Sequence, residues 1–175
     1  IVCFGYSGAA TTPLYTFPFT TPEAYGNPED LTIGFSIDEV THNSVRVTTD
    51  PSVGAYYFVT YTDTAYFNEM VEELGSEDAA VAYFANNDID YGAEFFECSR
   101  AEYLMEIGAV LGKYTSFFNQ LNPSTEYIAM AIAVDINSGE LASSRGFVSE
   151  TFTTLDKVVS SAKVEITFGD YYDGT

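Results

Sequence analysis

Alternating apolar and polar residues predict three β-strands in the first third of the chain. In "TIGFSIDEV", Ile33, Phe35 and Ile37 occupy every second position, which is the period of a strand with one buried face. After the turn "THNS", the segment "VRVTTDP" repeats the alternation and ends at Pro51, because proline cannot donate to a central ladder. The segment "GAYYFVTYT" supplies a third strand, which we expect to end near Asp63.

The hydrophobic period then changes from two residues to 3.6, which predicts a mostly helical insertion over residues 63–111. Asp63 or Thr64 is placed to cap the first helix, and Gly75 is placed to end it. Ser76 caps a second helix in "SEDAAVAYFANN". The segment "SRAE" has the capping-box spacing before a third helical segment, "YLMEIGAVLG".

The first predicted helix carries an apolar stripe. Its members follow the i, i+3, i+4, i+7 spacing of one helix face, and they are Phe67, Met70, Val71 and Leu74. The simplest interpretation is that this stripe packs the insertion against the rest of the domain. A groove for a partner is the alternative.

Strand character returns after the insertion. "GKYTSFFNQL" has it, and "AMAIAVDINSGELASSRGFVSETFTT" over residues 129–154 predicts a β-hairpin with "DINSGE" as its connection. Residues 1–21 repeat this scheme of an apolar run, a turn and a closing Phe-Thr-Thr. A weaker internal similarity links "LTIGFSIDEV" with "AKVEITFGDYYDG" near the C-terminal end.

These internal repeats predict a tandem array of modules. We expect residues 1–24 to be the terminal hairpin of a preceding, truncated module and residues 31–157 to form the complete one. Residues 158–175 would then be the first strand of a following module, so that neighbouring modules of the same chain are partners. An isolated two-stranded hairpin is only marginally stable, so the first hairpin is expected to pair with something else.

The segment "LNPSTEY" has the pattern of a tyrosine corner. Leu121 would end a strand in the core, Pro123 would fix the turn, and Tyr127 would bury its ring and hydrogen-bond the backbone of the corner through its hydroxyl. The Leu-x-Pro-x-Thr-x-Tyr pattern, which includes Thr125, resembles the fibronectin type III family over roughly Leu31 to Leu155, without the insertion. The resemblance implies a mainly β, Ig-like Greek-key sandwich, with the helical insertion between the third-strand region and strand E, "KYTSFF".

Two features depart from that family. That family usually has a core Trp near the end of its second strand, where this chain has about Thr49, and the chain contains no Trp. The helical insertion is also not standard for the family. With the "FTT" endings, both features resemble divergent tandem modules in surface lipoproteins of gut Bacteroidetes. That similarity implies an extracellular position at the outer-membrane surface, anchored through a lipidated segment that is not in this chain.

Composition narrows the possible partners. The chain has 26 acidic and six basic residues and a net charge of −20, which disfavours nucleic acid and anionic lipid headgroups. No apolar run is long enough to span a membrane, so no direct membrane span is expected. The chain begins with Ile1 in an apolar run, without a signal peptide, and we interpret it as a mature or trimmed piece.

Acidic residues in two loops are candidate Ca²⁺ ligands. Asp135, Asn137 and Glu140 lie in "DINSGE", and Asp170 and Asp173 lie in "GDYYDGT". Oxygen ligands at alternate positions suit Ca²⁺, but "DINSGE" lacks the later bidentate acid of a helix-loop-helix site. A plain hairpin turn explains it more simply, so no cofactor is predicted and Ca²⁺ is kept as an alternative.

No catalytic motif is present. The only His is His42, in a turn, and the two cysteines, Cys3 and Cys98, are expected to be separate thiols. We therefore predict a non-catalytic extracellular spacer or interaction module that contacts an unidentified protein or glycan at the cell surface. The alternatives are a glycan-binding module that uses exposed Tyr and acidic residues, and a carboxylate hydrolase. A glycan binder predicts exposed aromatic rings, whereas a hydrolase predicts two carboxylates in one cavity, one with a raised pKa.

Overall fold

The computed structural model describes residues 26–157 and, before them, Val2–Cys3, Thr12 and Tyr15–Thr16. Strands β1 (Val2–Cys3) and β2 (Tyr15–Thr16) pair antiparallel, with Val2 opposite Thr16. Most of the predicted N-terminal hairpin and all of the predicted strand at 158–175 lie outside the described residues.

Two antiparallel sheets form a sandwich in the continuous part. Its strands are β3 (Ile33–Asp38), β4 (Ser44–Pro51), β5 (Tyr56–Asp63), β6 (Ala109–Leu111), β7 (Tyr114–Asn119), β8 (Glu126–Asp135), β9 (Glu140–Val148) and β10 (Phe152–Thr153). One sheet has the order β3-β4-β7. In the other, β6 and β8 flank β5, and β9 and β10 pair in succession along the far edge of β8. This arrangement confirms the predicted mainly β, Ig-like Greek-key sandwich with a helical insertion.

The insertion adds a third layer. It contains α1 (Thr64–Leu74), α2 (Glu77–Phe95) and α3 (Arg100–Tyr103), followed by a π-helical turn, Leu104–Gly108. The helices cover the outer face of the five-stranded sheet and form one core with it. None of the helices in residues 26–157 is long and apolar enough to cross a membrane.

Strand β8 lies between two cores, which explains its continuous apolar run. Its bulky side chains face the helices, and they are Ile128, Met130, Ile132 and Val134. Its small side chains face the interior of the sandwich, and they are Ala129, Ala131 and Ala133. A strand buried on both faces loses the polar alternation of a half-exposed strand.

The helix ends follow the predicted capping chemistry. Asp63, rather than Thr64, caps α1, and its carboxylate accepts a 2.9 Å hydrogen bond from the Tyr66 N–H. Gly75 ends this helix with φ of 85°, a left-handed conformation that glycine adopts without strain. Ser76 caps α2, and Ser99 begins a complete capping box at α3.

Two details of the insertion differ from the prediction. Leu74 is 42% exposed, so only Phe67, Met70 and Val71 of the apolar stripe pack against the sheet. The segment "YLMEIGAVLG" is not one helix, because Ala109–Leu111 leaves the π turn and pairs with Tyr56–Phe58. The open edge of β5 offers backbone hydrogen bonds that these residues can complete as a strand.

The corner at "LNPSTEY" holds Tyr127 inside the sandwich. The Tyr127 ring is buried beside Phe152, and its hydroxyl oxygen accepts a 2.9 Å hydrogen bond from the Asn122 N–H. Leu121 is buried in the same core. The Thr125 hydroxyl donates to the Pro123 carbonyl over 3.0 Å, which closes the turn.

A buried Tyr-Thr pair lies at Thr49, about where fibronectin type III modules usually have a core Trp. Thr49 is fully buried, and its hydroxyl lies 2.7 Å from the hydroxyl of Tyr57, which is also fully buried. The Tyr57 hydroxyl also lies 2.7 Å from the Gly112 carbonyl, to which it donates. The pair links the two sheets, since Thr49 belongs to β4 and Tyr57 to β5.

Candidate functional site

An open cavity lies where the helical insertion overhangs the edge of the sandwich. Strand β6 pairs with β5 only from Tyr56 to Phe58, and among the residues that the structure describes no other strand pairs with this edge of β5 beyond that point. The end of α2 and the last residue of α3, Tyr103, extend over this edge, and together they enclose about 250 Å³. The lining residues are Phe58, Val59, Thr60, Tyr61, Asp88, Tyr91, Gly92, Phe95, Phe96, Tyr103 and Phe118.

Three aromatic side chains of the insertion are exposed at this cavity. Tyr91 is 69% exposed, Phe95 67% and Phe96 51%. The Tyr91 and Phe95 rings are 6.2 Å apart and within 26° of parallel, and Phe95 meets Phe96 edge-on at 5.1 Å. Phe96 is in turn nearly parallel to Tyr103, at 6.1 Å and 20°. Aromatic rings therefore run without a break from the surface to the cavity wall.

Two glycines position the Tyr103 ring. A Cβ atom at Gly92 would overlap this ring, and one at Gly108 would come within 2.7 Å of its Cε1 atom. Both glycines therefore allow the ring to lie directly against the backbone. Tyr103 also lines an adjoining cavity of about 250 Å³, so its ring forms the wall between the two spaces.

Asp88 is the acidic residue that lines the cavity. It accepts a short hydrogen bond from the Thr60 hydroxyl. By accessible surface area, Asp88 is an exposed residue. It lies in a concave wall, however, so protein atoms replace part of the water around it. Desolvation in that wall raises the pKa of the carboxyl above its usual value, and the Thr60 hydrogen bond offsets part of the increase.

Two tyrosine hydroxyls share the electrostatic environment of Asp88. Burial raises the pKa of Tyr61, with smaller contributions from Tyr127 and the Asp88 charge. Burial also raises the pKa of Tyr103, and the charges of Asp88 and Cys98 contribute to it. Both phenols therefore stay protonated at neutral pH and can donate a hydrogen bond to a ligand.

The predicted calcium residues of "DINSGE" lie at the turn that joins β8 and β9. The Asp135 carboxylate accepts hydrogen bonds from the Asn137 N–H at 2.9 Å and from the Ser138 hydroxyl at 3.1 Å, and these bonds lower its pKa. Glu140 begins β9 and is exposed. No group of three or more His, Cys, Asp or Glu side chains within residues 26–157 could hold a metal ion. Asp170 and Asp173 lie outside the described residues, and Ca²⁺ binding stays a prediction.

Pairs of acidic residues line two other cavities. Glu29 and Asp78 face a wide space of about 740 Å³ beside the start of α2. The Asp78 carboxylate accepts a 2.8 Å hydrogen bond from the Gly146 N–H. Asp63 and Glu126 face a space of about 440 Å³, where Asp63 already caps α1. Asp88, the carboxyl with the raised pKa, lines neither of these spaces.

Sequence reasoning did not identify the residues of the aromatic cavity. A signal for them exists in "DYGAEFFE", at the end of α2. The buried stripe of this helix includes Ile89, Gly92 and Ala93, and Tyr91 and Phe95 lie off that stripe. Large aromatic residues on the polar face of an amphipathic helix indicate an exposed apolar surface.

Comparisons with known proteins show distant similarity. Two solved structures of the sensor domain of the anti-sigma factor RsgI4 from Pseudobacteroides cellulosolvens are 12% identical to this chain, with TM-scores of 0.38 and 0.37. They cover 74% and 77% of this chain and 97% and 100% of their own chains. A crystal structure of titin domains is 15% identical over 75% of this chain and 34% of its own, with a TM-score of 0.37. No protein-family model and no curated protein matches the sequence. Identities and TM-scores this low assign neither a family nor a function to this chain.

Proposed function

We propose that this chain is a non-catalytic binding module whose helical insertion supplies the binding surface. The observation that carries the proposal is the exposure of Tyr91, Phe95 and Phe96 beside an open cavity. Exposed aromatic rings next to a concave space are typical of contact surfaces, where they bury a large apolar area on binding. A spacer has no need to expose such a cluster, so an interaction role is favoured over a spacer role.

The distribution of acidic residues supports a non-catalytic role. Glycoside hydrolysis by two carboxyl groups needs both in one cleft, with the acid of raised pKa among them. Asp88 has the raised pKa and is the acidic residue of the aromatic cavity, whereas the paired acids line other spaces. The arrangement therefore favours binding over carboxylate catalysis.

We also propose that the module belongs to a cell-surface protein of tandem modules. This proposal rests on the resemblance of residues 31–155 to fibronectin type III and of the whole to surface lipoproteins. In intact cells that produce the full-length protein, added protease should cleave it, whereas a cytoplasmic marker should survive. Survival of the full-length protein until the cells are lysed would exclude the surface location.

A glycan is the second candidate ligand. The Tyr91 and Phe95 rings are within 26° of parallel and more than half exposed, which suits stacking on a sugar ring. The Asp88 carboxylate and the Tyr103 hydroxyl lie beside them and could bond sugar hydroxyls. Protein and glycan ligands use the same surface, so one experiment tests both.

The experiment measures binding of the 175-residue chain to a glycan array and to an array of random linear peptides. Specific ligands on either array should lose most of their signal with the double variant Tyr91→Ser, Phe95→Ser. Leu155→Ser is the matched control, because it removes an apolar side chain that is 57% exposed and lines none of the cavities described above. Failure to bind on both arrays, or full binding by the double variant, would show that this surface is not the binding site.

A further inference from the structure

We propose that the aromatic cavity receives a positively charged side chain, Lys or Arg, of an extended segment of another polypeptide. The inference rests on the proposed function, because it assigns the ligand of the same surface. It depends on an uncompensated carboxylate, on aromatic side chains that line the same cavity, and on a free strand edge.

Asp88 has no cationic partner among the described residues. Within residues 26–157 the hydrogen-bonding partner of its carboxylate is Thr60, a neutral group. The nearest basic residue in the sequence, Arg100, bonds to Asp90 at 2.9 Å, to Asn86 and to the Gly139 carbonyl. A carboxylate in a concave, partly desolvated site is costly unless a positive charge compensates it. A cation from a partner would supply that compensation.

Three further basic residues of the described part of the chain are engaged at other positions. Arg46 pairs with Glu39, and Lys113 pairs with Asp50 at 2.9 Å. The Arg145 guanidinium lies 5.1 Å from the centre of the Phe147 ring. None of these contacts involves the cavity, and none of the ion pairs within residues 26–157 includes Asp88.

Several aromatic side chains line the same cavity as this carboxylate. Phe96 and Tyr103 are nearly parallel, and Phe58 approaches Tyr103 at 6.5 Å with its ring tilted by 58°. Rings presented at several angles in one cavity with a carboxylate suit an ammonium or guanidinium group, which is attracted to ring faces and to the negative charge together. The volume of about 250 Å³ lies below the range of roughly 300–1,000 Å³ found for small-molecule pockets. It therefore suits a single side chain.

The charge of the insertion favours a basic partner. Arg100 is the only Lys or Arg in residues 63–111, and this range holds the acidic residues Asp63, Glu69, Glu72, Glu73, Glu77, Asp78, Asp88, Asp90, Glu94, Glu97, Glu102 and Glu106. Such a surface attracts cationic segments and repels anionic ones. A neutral sugar would gain nothing from this field and would leave Asp88 uncompensated.

The free edge of β5 favours a polypeptide over a free amine. Beyond Phe58 this edge has no strand partner within residues 26–157, because β6 ends its pairing there. The cavity follows the edge from Val59 to Tyr61. An extended segment can pair its backbone with such an edge while one side chain enters the adjoining cavity. The backbone supplies affinity and the charged side chain supplies specificity.

The test begins with a selection from random linear peptides against the 175-residue chain, with removal of peptides that also bind Asp88→Asn. Asparagine keeps the shape of Asp88 and an oxygen for the Thr60 hydroxyl, but it lacks the charge. Enriched peptides should contain a Lys or Arg at a common position. Enrichment of peptides without a basic residue, or no enrichment at all, would overturn the inference.

A titration then measures affinity for one selected peptide and for the same peptide with norleucine in place of its Lys or Arg. Loss of the charge should weaken binding at least tenfold, and Asp88→Asn should cause a similar loss with the original peptide. Glu72→Gln, an exposed acid on α1, controls for net charge and should leave the affinity within about twofold. Equal loss with Glu72→Gln would show nonspecific attraction and would overturn the site.

Two further probes separate the inference from the proposed function. If n-butylamine alone competes as strongly as the peptide, the polypeptide part of the inference is wrong. If oligosaccharides bind and lose binding with Tyr91→Ser, Phe95→Ser while no basic peptide binds, the proposed function stands and the cation site fails. Circular dichroism of each variant confirms that a loss of binding is not a loss of fold.

Discussion

The Tyr103 ring lies directly on the backbone of Gly92, so closely that a Cβ atom at Gly92 would overlap it. Gly92 belongs to α2, and Tyr103 is the last residue of α3. Within a helix, glycine costs up to about 1 kcal/mol relative to alanine. Here it permits the close approach that places an aromatic wall in the cavity.

Gly92→Ala should therefore destabilise the domain in spite of the better helix propensity of alanine. Overpacking a tight contact costs about 1–3 kcal/mol, and the propensity gain offsets about 1 kcal/mol of it. Urea denaturation measures the free energy of unfolding. In a Tyr103→Ala background the overlap is gone, so Gly92→Ala should no longer destabilise. An equal loss in both backgrounds would mean that the contact with Tyr103 is not the cause.

Tyr127→Phe should destabilise the sandwich by about 1–3 kcal/mol, because the Asn122 N–H would lose the oxygen that accepts its hydrogen bond. Thermal and urea denaturation measure the change. Tyr83→Phe is the matched control: its hydroxyl meets only the Tyr66 hydroxyl, at 3.3 Å and in an exposed position, so a change within about 0.5 kcal/mol is expected. Equal effects of both substitutions would contradict the role of the corner.

Tyr57→Phe tests the link between the two sheets. Without the phenol, the Gly112 carbonyl loses a 2.7 Å hydrogen bond and Thr49 loses its buried partner, so a loss of about 1–3 kcal/mol is expected. A double-mutant cycle with Thr49→Val measures the coupling, since removing both polar partners costs less than the sum of the two single changes. Additive effects would show that the Thr49 and Tyr57 hydroxyls do not interact.

Local chemistry explains why much of the fold was predictable. The caps at Asp63, Ser76 and Ser99 depend on residues within one helical turn, and the corner at Tyr127 reaches only five residues back. The alternation around Ile33 reports a half-buried face in the same way. Such signals are complete within a short segment, so a single sequence contains them.

The position of the helices and the cavity could not be predicted in this way. An apolar stripe shows that a helix face is buried, but it does not show which surface covers it. Asp88 and Thr60 are 28 residues apart and meet only because α2 crosses the outer face of the sheet. The strand Ala109–Leu111 likewise depends on the free edge of β5, which is set by tertiary structure.

The pH dependence of stability should reveal the environment of Asp88. Desolvation raises the pKa of Asp88 in the folded state, so Asp88 binds a proton more tightly in the folded protein than in the unfolded chain. The stabilising contribution is therefore complete below pH of about 4 and is lost as pH rises through the folded-state pKa. The free energy of unfolding of the wild type, relative to Asp88→Asn, should decrease over that interval.

Glu102 gives the opposite sign, since hydrogen bonds from the Ser99 backbone and hydroxyl lower its pKa. Relative to Glu102→Gln, the wild type should lose stability as pH falls below about 4 through the lowered pKa. Urea denaturation across pH 2 to 8 measures both differences, and parallel curves for the two variants would contradict the assigned environment of Asp88.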